Sequence, residues 1–344
     1  MKNMARAHLA VAAVLTAWLI AEAASVAAGA SWWRMVHPIT LGVVTTAILV
    51  YSTHFCDALT RSHTSGTPLV IRVVLVQVAA VTLYLVDPAT GWNLLADAAA
   101  ALLGITGAWH ALALARRLRA AISPSPLARI VVAYYVAALG ALIAAIIAAR
   151  LGYTQVHSRL AVWGFVWLTV QATVVTLVPT FAGTSISTTA SARLPRALVI
   201  SCAGLAVLAV GLPWGQLVVA VAGVLVIQPV IAGALAGSAP VGVVAALVWF
   251  PALCVADVVA GQTQVVLPTL LGAGLVQLVT GVLIVLLPRL TLRRPGPDRW
   301  AVPRAVVINA GGVVALVWAG PGAAVMAAGL AWQLATLIAR VVRR

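Results

Sequence analysis

Most of the positive charge in this 344-residue chain falls in short clusters between long apolar stretches, and the clusters favour alternate gaps. Such a pattern leaves few folds open. An apolar run of about 20 residues crosses a hydrocarbon core as a helix, because in lipid every backbone N–H and C=O must find its partner within the segment. Only 8% of the residues are charged and the mean hydropathy is +1.12. The expected fold class is therefore all-α, a polytopic membrane bundle of about 12 transmembrane helices. The spans are expected near 8–29, 38–59, 69–86, 92–114, 127–149, 158–181, 196–212, 216–236, 240–260, 264–288, 304–320 and 322–339. With the N-terminus inside, 18 of the 21 basic residues lie on the inner face and only Arg34, Arg150 and Arg159 on the outer one. That bias predicts a multi-pass protein of the bacterial cytoplasmic (inner) membrane with both termini cytoplasmic.

A net charge of +15 invites a nucleic-acid reading, but these arginines sit beside membrane spans, so the partner they imply is an anionic lipid bilayer and no nucleic acid. The first 30 residues resemble a signal peptide in having a basic start and a small-residue end, yet the apolar run is too long and is read as the first helix. Cys56, Cys202 and Cys254 are odd in number and far apart, which suits packing rather than disulfides or metal. The Pro- and Arg-rich stretch Arg289 to Arg304 reads as an inner connector that anchors topology, and Gly183 to Arg196 as a solvated loop. No soluble domain is expected, only one membrane domain over 1–344.

Three stretches share one shape at intervals of about four helices, suggesting repeats near 1–120, 121–238 and 239–344. The first runs Val36-His37-Pro38-Ile39-Thr40-Leu41-Gly42 through span two. The second starts at Val156-His157-Ser158-Arg159-Leu160 and passes Trp163-Gly164 to Leu177-Val178-Pro179 in span six. The third runs from Leu271-Gly272-Ala273-Gly274 to Pro288-Arg289 in span ten. Small residues near the start of each let a neighbouring helix approach closely.

A twelve-span chain with four-span periodicity, and a histidine opening span two before Thr40-Leu41-Gly42, resembles subunit I of haem-copper oxidases and the NnrS-like membrane proteins. His157-Ser158-Arg159-Leu160, Trp163-Gly164 and Thr176-Leu177-Val178-Pro179-Thr180 are similar to the membrane portion of actinobacterial copper-oxidase or nitrite-reductase-like fusion proteins. The resemblance implies haem b or copper as cofactor and electron transfer or a nitrosative-stress role. It also implies a separate cupredoxin or multicopper oxidase as partner. It places the low-spin haem ligand on His37 and a copper-site histidine near His157. The chain departs from the family elsewhere: span seven lacks the histidine pair, and span ten has Gln264 and Gln277 but no histidine. A complete haem-copper centre, with several nitrogen ligands, cannot be built from these residues.

Read by depth alone, the histidines fall into two sets. His37 and His157 lie at the outer ends of spans two and six, and are the candidate metal ligands. His54 and His110 lie toward the inner ends of spans two and four, a second candidate cofactor pair. His37 and His54 are about 25 Å apart along a helix, nearly the hydrocarbon thickness, so two bis-imidazole haems would suit electron transfer across the bilayer. Asp57, three residues after His54, could orient it. His8 and His63 belong to inner ends. Glu22 and Asp97 are intramembrane carboxylates that serve either packing or proton chemistry, Asp257 and Asp57 read as interfacial, and Arg72 is expected to snorkel toward the inner surface. Trp32, Trp33, Trp92, Trp214 and Trp300 form an aromatic belt, whereas Trp163 and Trp167 share one face of span six and suit core packing. Against the cofactor reading stands a cofactor-free permease or small-molecule carrier. Its marker would be spans broken near their middle, and Gly211-Leu212-Pro213 breaks span seven only at its outer end. Whether the protein is an enzyme is left open.

Overall fold

The computed structural model describes residues 2–62, 66–237, 239–290 and 298–342; His63 and residues 291–297 of the connector fall outside them. The described residues form helices and no strand. Twelve long helices follow one another: α1 Lys2–Ala27, α2 Trp32–Thr60, α3 Thr67–Val86, α4 Leu94–Ala120, α5 Pro126–Arg150 and α6 Thr154–Ala182. Then come α7 Thr188–Ala209, α8 Gly215–Ala236, α9 Val241–Ala260, α10 from Thr263, α11 Ala301–Ala315 and α12 Ala319–Val342. Eleven are long and apolar enough to cross a membrane; α11, with 15 residues, is the exception. The chain is a multi-pass, all-α membrane protein.

Two expectations are corrected at the helix ends. The stretch after Gly183 is not all loop, because Ser187 caps α7: its hydroxyl accepts from the Ala190 N–H (3.2 Å), so the helix starts at Thr188. The eleventh helix stops at Ala315 rather than 320. Trp318 N–H returns to the Val314 carbonyl (2.7 Å) in a tight turn, and Pro321 falls in the first turn of α12, where a missing N–H costs nothing.

Packing divides the chain into two compact units, one of Leu9–Thr173 with Ala209–Gly211, the other of Val174–Leu208 and Leu212–Arg344 with the first eight residues. In the first, Leu49, Val76, Ala79, Leu83, Ala96, Ala99 and Leu103 form a core with Trp33 and Trp92 packed against it. In the second, Ala273, Ile308 and Met326 pack with Trp249 and Leu330. Small residues set the spacing there: a Cβ on Gly311 would overlap the Met326 backbone, and one on Gly322 the Ala315 backbone, so α11 and α12 lie against each other.

α2, α6 and α10 are not uniform α-helices. Each begins with a short α segment of 6, 6 and 7 residues, then widens into a π-helical stretch, Pro38–Thr45, Leu160–Val166 and Leu270–Val276, before resuming α geometry. A π stretch accommodates an extra residue in the helix and re-aims the side chains on either side of it. Each contains glycine from the motifs that recur in sequence: Gly42, Gly164, and Gly272 with Gly274. At Gly42 the vacated Cβ space is taken by the Trp18 ring, and at Gly272 by the Met326 side chain.

Candidate functional site

At the end where α2, α4 and α6 begin, the start of α2 is stitched to the end of α3. Ser31 Oγ accepts from the Arg34 N–H (3.3 Å) and donates to Asp87 (2.5 Å), and Arg34 pairs with the same carboxylate at 3.4 Å. Trp33 Nε1 reaches the Leu83 carbonyl at 3.3 Å. Asp97, a few residues into α4 as its place in the sequence suggests, pairs with Arg150 of α5 at 2.5 Å. These ties fix the framework around His37 and His157.

His37 closes the first α segment of α2, one turn after Trp33. The two rings stack with centroids 3.3 Å apart, and His37 Nδ1 meets the Trp33 carbonyl at 2.8 Å. His157 lies in the first α segment of α6, and its Nδ1 meets the Ala145 carbonyl of α5 at 2.9 Å. A carbonyl oxygen only accepts, so the Nδ1 of each neutral ring carries the proton and each Nε2 keeps its lone pair. Metal-bound histidines are held in this way, the second nitrogen donating to a carbonyl to fix tautomer and orientation. The centroids of the two rings are 6.3 Å apart and their planes differ by 17°. Two imidazoles that bind one ion through facing nitrogens at about 2.0–2.1 Å have centroids roughly 6 Å apart. Both side chains are partly exposed, so a ligand has a route to them.

His110 and His54, the second candidate pair, are held by different contacts. His110 is fully buried and its Nε2 contacts Ser52 Oγ of α2 at 2.9 Å. His54 follows Ser52 by two residues, about 200° around the helix, and its ring meets Phe55 edge-on at 6.2 Å. Asp57 pairs with Arg117 at 3.3 Å and accepts from Ser62 at 3.1 Å. Among the described residues, no group of three or more His, Cys, Asp or Glu side chains could hold a metal ion.

Two polar residues differ from what the sequence suggests, and a pair of glutamines carries a feature it does not reveal. Arg72 does not snorkel: it is 1% exposed, lying over the Trp109 ring at 5.4 Å. Asp257 is buried rather than interfacial, accepting from Thr263 Oγ1 at 3.0 Å. Gln171 and Gln277 are fully buried with both amide atoms unpartnered, and beside Gln277 the Gln333 amide donates to Thr280 (2.5 Å) and to the Gln277 carbonyl (3.2 Å). Isolated glutamines in apolar runs are the only sequence signal for the last pair. Glu22 keeps one buried, unpartnered oxygen in α1, Trp163 and Trp167 are fully buried as core residues, and Cys202 is exposed while Cys56 and Cys254 are buried. No family model, curated protein or solved structure matches this chain.

Proposed function

We propose that this is an integral membrane haem- or copper-binding protein with a redox or nitrosative-stress role, in which His37 and His157 form a two-imidazole site at the outer face. The observation that carries the reading is the paired geometry: two rings 6.3 Å apart, each with Nδ1 committed to a backbone carbonyl and Nε2 left to bind. His37 and His157 would hold a haem iron or a cuprous ion through two neutral nitrogen donors, and neither group demands a third protein ligand. When bound, either group supplies one-electron redox chemistry. The chain's own residues orient the imidazoles: Trp33 packs on one face of His37, and the α5 carbonyl holds His157. The arginine bias supports an outer-face position for this site in a bacterial cytoplasmic membrane with both termini inside, where a separate cupredoxin or multicopper oxidase would exchange electrons with it.

The test is to purify the full chain in detergent and record metal content and the oxidised and reduced absorption spectra. Haem bands or stoichiometric copper that are lost from His37→Ala and from His157→Ala, with folding retained, support the reading. Folded protein free of both after expression with haem precursor and copper overturns it. A carrier is the second reading, favoured by the unpartnered amide of Gln277 and by spans whose α geometry is interrupted. Substrate uptake that survives the double histidine substitution and fails in Gln277→Leu would select it.

A further inference from the structure

At the opposite end of the first unit, where α2 and α4 finish and α3 begins, we infer a buried oxyanion site built on Arg72, with His110 and Arg117 beside it. Its occupant is a phosphate group, carried either by an anionic lipid headgroup or free in solution. This inference is independent of the histidine pair at the other end.

Arg72 is 1% exposed, yet its Nε and Nη2 donors have no acceptor. Those two N–H groups form one edge of the guanidinium, the parallel fork that grips two oxygens of a single phosphate or carboxylate. A buried lysine or histidine can escape the cost of burial by losing its proton, but a guanidinium keeps its charge, so an anion must meet it. The Trp109 face, 5.4 Å from the guanidinium carbon, offers partial compensation only.

The described residues do not supply the missing anion. The carboxylate at this end, Asp57, is engaged by Arg117 at 3.3 Å. Arg117 acts on Arg72 as a like charge, and both act on His110. One positive charge is therefore left over among Arg72, Arg117 and Asp57. His110 is fully buried with Nε2 on Ser52 and an unpartnered Nδ1, and one turn earlier on the same face the Thr106 hydroxyl is also buried and unpartnered. Cations from two helices thus collect beside the orphaned Nδ1 of His110, and a phosphate satisfies both kinds of group.

The surroundings give the lipid source a route. Val70, Ile71 and Val74 flank Arg72 on α3 with 59, 45 and 51% exposure, and Leu112 of α4 is also exposed. Acyl chains can lie along these residues with a headgroup at the level of Arg72, beside the exposed edge of Trp109.

The experiment uses the full chain, stripped of lipid in neutral detergent, and reads the thermal midpoint. Phosphatidylglycerol is compared with phosphatidylcholine, and inorganic phosphate with chloride at equal ionic strength. The wild type should gain several degrees with phosphatidylglycerol if the source is lipid, or with inorganic phosphate if it is free. Arg119→Met, at an exposed arginine of α4, should respond like the wild type, and Arg72→Met should not respond. A wild type indifferent to both phosphate sources, or an Arg72→Met variant that responds as strongly as the wild type, overturns the site. Should Arg72→Met fail to fold, Arg72→Lys decides: it loses the fork and can shed its proton when buried, so a weakened response supports the proposal and an undiminished one refutes it.

Discussion

Aspartates in this protein mostly pair with arginines at or beside helix ends. Asp57, Asp87, Asp97 and Asp298 each meet an arginine from another segment or a neighbouring turn. Asp298, before α11, shows the consequence. Burial pushes its carboxyl up, but the hydrogen bonds and charge of Arg304, with Arg340 adding to them, hold it below the usual carboxylate range. A folded-state value below the unfolded one means stabilisation that is complete above the ordinary carboxylate range and fades as pH falls through the folded value. Asp298→Asn should therefore cost about 2 kcal/mol at neutral pH, and a comparison of thermal midpoints at pH 7 and pH 3 should show the gap to wild type closing in acid. An unchanged gap would show that the carboxylate charge contributes nothing. Arg304, 3% exposed, is the partner whose loss should be felt most.

Elements are governed by where glycine stands. Gly311→Ala should destabilise the α11–α12 hairpin by about 1–3 kcal/mol, because the new methyl overlaps the Met326 backbone and backbone cannot step aside. Gly320→Ala, with open space around it in α12, should be neutral or slightly stabilising in the same denaturation measurement. Similar losses in both would mean that helix approach is not what Gly311 provides. The π stretches invite a sharper test. Removing Val162 from Leu160–Val166 restores α register and turns His157 by about 100° relative to the rest of α6. On the proposed function, cofactor occupancy should fall to the level of His157→Ala while helical content by circular dichroism is kept; full occupancy would detach the π geometry from the site.

For the molecule as a whole, the charge asymmetry predicts orientation. In a background lacking Cys56, Cys202 and Cys254, a membrane-impermeant maleimide should label Leu151→Cys, exposed in the α5–α6 turn, in intact spheroplasts. Ile122→Cys, exposed in the α4–α5 turn on the opposite side, should label only after lysis. The reverse pattern would invert the topology. The fold was largely legible in the sequence. Eleven spans could be placed from hydropathy alone, since lipid forces backbone pairing within each run, and errors arose where local capping at Ser187 or the turn before Pro321 set the boundary.

The candidate site was legible only in part. His37 and His157 drew attention through motif and depth, but 120 residues separate them and nothing in the one-dimensional pattern says that their rings lie 6.3 Å apart with the same tautomer. Arg72 shows the limit most clearly. Hydropathy gives an arginine near a span end one inexpensive solution, reaching water, whereas its enclosure beneath Trp109 depends on which face of α3 meets α4. Composition and charge determined that this chain is a helical membrane protein and which loops share a side, because those follow from the solvent each segment must enter. Which polar groups meet, and which are left without a partner, was decided by helix rotation and close approach, quantities set by packing between residues far apart in the chain.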